Sequence, residues 1–141
     1  MLSALFFLAL SVFAALGGSE ESVISDQAKL QASRKTVPQQ GYRVHEISRG
    51  DGTLVKEYVS LEGKVFGVSW KGPTLPDLSQ LLGSNFAEFQ SSVHPHAGRR
   101  KATVVHNNNL MVESTGHTRA FQGRAYLKSL LPPGVTQEVV Q

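Results

Sequence analysis

The chain contains no cysteine. That excludes a disulfide framework, a thiolate-ligated zinc or iron–sulfur site, and a thiol nucleophile. It also has little excess charge: 14 Lys and Arg against 11 Asp and Glu leave a net +3. An imbalance this small bears on solubility and is not the basic stripe of a nucleic-acid binder. The one basic run, Arg99-Arg100-Lys101, has no aromatic residues interleaved for base stacking and reads as a solvated loop. There is no His-Glu-x-x-His helix, no Gly-x-Ser-x-Gly elbow and no glycine-rich phosphate loop, and no cofactor is implied. The longest apolar stretch, Leu2 to Ala15, is too short to span ~30 Å of hydrocarbon as a helix.

That stretch is nevertheless informative. Residues 1–18 hold no charged side chain, and the run ends in small residues. Val12-Phe13-Ala14 puts tolerated residues at the two positions a signal peptidase reads. The reading is a signal peptide over 1–14, cut near Ala14, and a mature chain exported to the periplasm or the extracellular medium. No Lys or Arg precedes the run, and no Cys follows it, which excludes a bacterial lipoprotein anchor. The mature chain carries no transmembrane segment and no covalent staple, so its core must suffice.

Gly17 to Gln40, most of an arm over 15–40, is polar, with Ser-Glu-Glu-Ser at 19–22 and Gln-Gln at 39–40. Val23, Ala28, Leu30 and Ala32 give a weak helical period, with Asp26 placed as an N-cap. The expectation is a flexible N-terminal arm carrying a short helix at most. A single α+β domain is expected over 41–131, followed by a C-terminal tail at 132–141. β-branched and aromatic residues alternate between glycine-marked turns from Tyr42 to Trp70, as in a three-stranded meander. Pro76-Asp77 then opens a helix whose Leu78, Leu81, Leu82, Phe86, Phe89 and Val93 share one stripe. Asn85 with Glu88 resembles a capping box within it. Ala102–His106, Leu110–Thr115 and Arg119–Leu127 read as further strands. The fold expected is α+β, a curved antiparallel sheet of about five or six strands packed on one main helix.

Centring the first hairpin near Gly50-Asp51 sets Glu46 opposite Val55 and Val44 opposite Glu57. Centring the next on Glu62-Gly63 sets Glu57 opposite Val68 and Val59 opposite Phe66. One face then carries Tyr42, Val44, Val55, Val59, Phe66, Val68 and Trp70, with Glu46 and Glu57 among them. Carboxylates on an apolar surface are costly unless paired. Three readings stay open: a general acid or base with raised pKa, an ion pair with Arg119 or Arg124, or a register slipped by one that turns both outward. Trp70 reads as a core anchor or a ligand-stacking surface. His94-Pro95-His96, with His106 and His117 joining from strand ends, is a metal candidate against a bland reading as polar loop residues.

Several of these runs also carry a resemblance. They are Gly52-Thr53-Leu54-Val55-Lys56-Glu57-Tyr58-Val59, Gly63-Lys64-Val65-Phe66-Gly67-Val68-Ser69-Trp70-Lys71-Gly72-Pro73, and Glu113-Ser114-Thr115-Gly116-His117 with Arg119-Ala120-Phe121 and Gly123-Arg124-Ala125-Tyr126. Together with Ala14-Ala15-Leu16-Gly17-Gly18 and Pro76-Asp77-Leu78, they resemble the exported bacterial family catalogued as domain of unknown function 2844. The resemblance implies an exported bacterial protein and carries no activity, cofactor or catalytic residue with it. The function expected is a non-catalytic module that binds an envelope protein or a small ligand. The alternatives are an exported acid/base hydrolase using Glu57 and Glu46, with His45 or His117, and a metal-binding protein using His94, His96 and His106.

Overall fold

A computed structural model describes residues 16–20, 33–93 and 102–141. The expected leader, the short helix near Asp26, and His94 and His96 lie outside the described residues. The strands are β1 (Ser33–Gln39), β2 (Tyr42–Ser48), β3 (Leu54–Ser60), β4 (Val65–Gly72), β5 (Ala102–His106), β6 (Leu110–His117) and β7 (Ala120–Leu127). They form one sheet in the order β1-β2-β3-β4-β7-β6-β5, with every neighbouring pair antiparallel. The sheet is open, and the fold is α+β. A meander thus runs from one edge to β4. The helical segment carries the chain to the opposite edge, and β5, β6 and β7 return to pair with β4.

The sheet has seven strands where five or six were expected. The additional one is β1, which lies in the stretch read as a flexible arm. Its sequence, Ser-Arg-Lys-Thr-Val-Pro-Gln, is mostly exposed, so it lacks the alternation that marks a strand with one buried face.

The helical segment is α1 (Leu78–Leu82), one 3-10 turn at Gly83–Asn85, and α2 (Phe86–Ser92). Asp77 caps α1, its Oδ1 accepting from Ser79 N at 2.9 Å. The Ser79 hydrogen bond holds the Asp77 carboxyl below its ordinary pKa. Asn85 does not close a capping box. Its Nδ2 donates instead to Leu16 O (2.9 Å) and Leu82 O (3.2 Å), which ties the first described segment to the helix junction. Leu81, Leu82 and Phe89 enter the core, with Leu78, Phe86 and Val93 packed against it, so the whole apolar stripe faces the sheet.

Both faces of the sheet carry a covering layer, the second over part of its area. The helix side buries Ile47, Val55, Val59, Val65, Val68, Trp70, Val105, Leu110, Val112, Ala125 and Leu127. Leu16, 1% exposed, seals this layer. Its N–H donates to Leu81 O (2.9 Å), and Gly17 N donates to Val65 O (2.8 Å). The other side buries Val44, Tyr58, Phe66, Met111, Tyr126 and Val140, with Leu131, Val135 and Val139 packed on them. Residues 131–140, read largely as a tail, are therefore the lid of a second core. Gly67 admits Val140: a Cβ there would come within 2.6 Å of Val140 Cγ2.

The first hairpin differs from expectation by one residue. Gly52 adopts φ +90° and donates to Arg49 O (3.1 Å), so the loop spans 49–53 and Ser48 stands opposite Leu54. Glu46 then pairs with Lys56, Ile47 with Val55, and His45 with Glu57. The second hairpin keeps Glu57 opposite Val68, but a bulge between Tyr58 and Val59 puts Val59 opposite Val65. Phe66, Tyr42 and Val44 consequently belong to the second core and not to the helix side.

Candidate functional site

Glu57 and Glu46 end on opposite faces of the sheet. Glu57 is 1% exposed on the helix side, in phase with Val55 and Val59. Glu46 is half-buried on the other side, registered between Lys35 and Lys56. Two carboxylates separated by a sheet cannot act on one substrate, so the paired acid/base site does not form. Arg124 does not neutralise either: its Nε donates to Glu113 Oε2 at 2.9 Å. Arg119 sits at the β6–β7 turn with φ +65°.

The register that removes Glu46 brings in His45, 3% exposed and directly across from Glu57. Thr36 Oγ1 lies 2.9 Å from His45 Nδ1, and Glu20 Oε1 lies 3.0 Å from Nε2. Arg43 grips the same carboxylate as a fork, Nε to Oε1 at 3.1 Å and Nη2 to Oε2 at 2.6 Å. An ionised carboxylate only accepts, so Nε2 carries a proton; in the neutral ring Nδ1 then accepts from the Thr36 hydroxyl. The Arg43 hydrogen bond holds the Glu20 carboxyl below its ordinary pKa against the opposing effect of burial, with His45 adding to the lowering. Glu20 in turn raises the Arg43 guanidinium. A hydroxyl–imidazole–carboxylate chain has the polarity of a general base. It also fastens residues 16–20 to β2 and β1, and none of the three clefts described below is lined by it. Glu20 and Thr36 were missed by sequence reasoning, because both lie in polar stretches with no period to mark them.

The histidines do not gather. His106 is exposed at the end of β5, and His117 is exposed at the far end of β6. His106 pairs with Met111, so six strand residues, about 20 Å at ~3.3 Å each, separate it from His117. Among the described residues no group of three or more His, Asp or Glu is placed to hold a metal ion.

A cleft of about 610 Å³ lies at the β6–β7 turn and is lined by Lys71, Thr115, His117, Arg119, Phe121 and Gln122 among others. A second, about 290 Å³, shares Lys71, Thr115 and Gln122 and adds Glu113, Arg124 and Gln141. The two form one groove. Register places Ala102, Thr115, Gln122 and Lys71 in a row across β5, β6, β7 and β4. Strand alternation from Met111 and Tyr126 puts the side chains of Thr115, Gln122 and Lys71 on the face opposite the helix. The C-terminal segment covers one half of that face, and the groove occupies the other half. Arg124 Nη1 donates to Val140 O (3.2 Å) and marks the border between them. Among the described lining residues the one acidic side chain is Glu113, which Arg124 holds, so the groove is cationic through Lys71 and Arg119. A third cleft, about 280 Å³, lies beside the entry to α1, between Arg49 and Asp77. Sequence reasoning named His117 and Arg119 in other roles but missed Lys71 and Gln122, because four strands assemble the groove and no local motif marks it. Trp70, 2% exposed, is a core anchor.

The model of a family described as Protein of unknown function (DUF2844) matches residues 12–140. The chain belongs to that family. Almost all of the sheet, both covering layers and the groove fall within the matched DUF2844 region. No curated protein matches the chain, and no solved structure does.

Proposed function

We propose that this DUF2844 member is an exported bacterial protein whose domain is a non-catalytic binding module, with its ligand seat in the cationic groove of the half-open sheet face. Export is supported by the short, uncharged apolar run of residues 1–14 and its small-residue end. Among the described residues no helix is long and apolar enough to cross a membrane. The observation that carries the binding reading is the groove itself. Lys71 and Arg119 face it, and its one described acidic side chain is already engaged. Such a lining favours an anionic small ligand or an acidic group of an envelope partner.

The test is a titration of the isotopically labelled protein with citrate and, separately, inorganic phosphate, followed by amide NMR. The expected result is saturable shifts at Lys71, Thr115 and Gln122, lost in a Lys71→Glu, Arg119→Glu variant that melts like the parent. Shifts scattered over the whole surface, or none, overturn the binding reading. Fusing residues 1–20 to an export-dependent reporter tests the leader, and an inactive fusion overturns export.

A further inference from the structure

The two edges of the sheet are built differently. β1 carries Arg34, Lys35 and Pro38, the residues that keep an edge strand from recruiting another. β5 reads Ala-Thr-Val-Val-His, with no charged residue of fixed sign, no proline and no glycine. Among the described residues its strand neighbour is β6, and its outer edge is unpaired. Val104 is 58% exposed at its centre, one of three large apolar side chains so placed among the described residues.

We propose that β5 is a dimerisation edge. Two copies pair β5 to β5, antiparallel, about a two-fold axis at Val104 and normal to the sheet. The result is one continuous sheet with seven strands from each copy. The register follows from geometry. Directly opposed residues point to the same side, so the helix layers of the two copies stay together only when odd residues oppose odd and even oppose even. The register centred on Val104 meets this condition and pairs all five residues. Val104 opposes Val104 of the second copy, Thr103 opposes Val105, and Ala102 opposes His106. Val105, already 3% exposed in the helix-side core, extends that core toward Thr103 of the second copy.

Charge agrees with this arrangement. The chain approaches β5 through Arg99-Arg100-Lys101 and leaves it at Asn107, whose Nδ2 donates to Glu88 Oε1 at 2.9 Å. Antiparallel pairing brings the start of each β5, which the basic run precedes in sequence, to the end of the other, where Glu88 is held, and opposes no like charges along the strand.

The absence of native cysteine makes the test clean. Directly opposed strand residues have Cα atoms about 4.5–5.5 Å apart, within the span a disulfide requires. The chain, expressed from its complete coding sequence, is compared with Val104→Cys, Glu62→Cys and Val104→Lys. The native chain is expected to sediment as a dimer. V104C should cross-link under mild oxidation far faster than E62C. V104K, which sets two ammonium groups face to face, should lose the dimer while keeping the native circular dichroism and melting temperature. A monomeric native chain, a V104C rate no higher than that of E62C, or a dimer that V104K leaves intact would each overturn the proposal.

Discussion

Replacing Gly123 by alanine isolates the contact that sets how closely β7 approaches the core. An ideal Cβ at Gly123 would lie 2.2 Å from Trp70 Cζ2, 2.5 Å from Cε2 and 2.6 Å from Glu113 O. Carbon atoms in contact sit about 3.5–4.0 Å apart, so the indole must retreat by more than ~1 Å. It has no room to do so. Trp70 is 2% exposed, with Val55 opposite it on β3 and Gly123 opposite it on β7. The cost falls at the upper end for overpacking, about 3 kcal/mol. For a domain of this size that is a loss of about 10–20 °C in melting temperature. Trp70 is the sole tryptophan, so its fluorescence reports the perturbed contact and global unfolding together. Gly123→Ala should lower the urea midpoint and shift native emission to longer wavelength. Gly63→Ala is the control. Gly63 has φ +82° and nothing within 4 Å of an added Cβ, so it incurs only backbone strain, about 1 kcal/mol. In a Trp70→Leu background, Gly123→Ala should cost less than in the native chain, and the remainder measures the Glu113 carbonyl contact. An unchanged midpoint and emission in Gly123→Ala, or equal losses at the two glycines, would refute the reasoning.

Two further outcomes follow from the polar contacts. Glu20→Gln removes the charge that Arg43 and His45 share, and because the side chain is 30% exposed the loss is modest, about 1 kcal/mol near neutral pH. The folded pKa of Glu20 is depressed below its ordinary 4.5, so its stabilisation is present above that value and disappears as pH falls through the folded pKa. Melting curves taken from about pH 7 to about pH 3 should show the native chain and the variant converging at the acid end; a constant gap would refute the assignment. Tyr58→Phe removes a hydroxyl that donates to Gln141 O (2.6 Å) and accepts from Gln141 N (3.0 Å). The expected loss is about 1–2 kcal/mol with faster hydrogen exchange at Gln141, and unchanged exchange there would show that the hydroxyl does not hold this segment.

The helix was legible because its signals are local: Pro76-Asp77 at the entry and six apolar residues in phase. The hairpins were legible from their glycines, but their register was not. Whether Gly50 or Gly52 takes the left-handed conformation decides the loop length, and Gly52 takes it. That single residue reverses every side chain of β2. It moved Glu46 out of the expected pair, moved His45 in, and so removed one candidate site while exposing another network. Glu20 meets His45 across 25 residues of chain, a pairing that no window of sequence contains.

The second core had a signal of a different kind. Val65-Phe66-Gly67-Val68-Ser69-Trp70 is buried at every position, where a strand with one wet face would alternate. An unbroken buried run requires a layer on each side of the sheet. One helix supplies a single layer, so the other had to come from elsewhere in the chain. The apolar residues after Tyr126 are the ones to supply it: Leu131, Val135, Val139 and Val140 recur through the segment read as a tail. The same reasoning explains the groove. The cover is a short irregular segment and not a second helix, so it spans only the end of the face where Val44, Tyr58, Phe66, Met111 and Tyr126 meet. Toward the β6–β7 turn the polar residues Thr115, Gln122 and Arg124 replace the apolar set, as a strand face does where it meets water or a ligand.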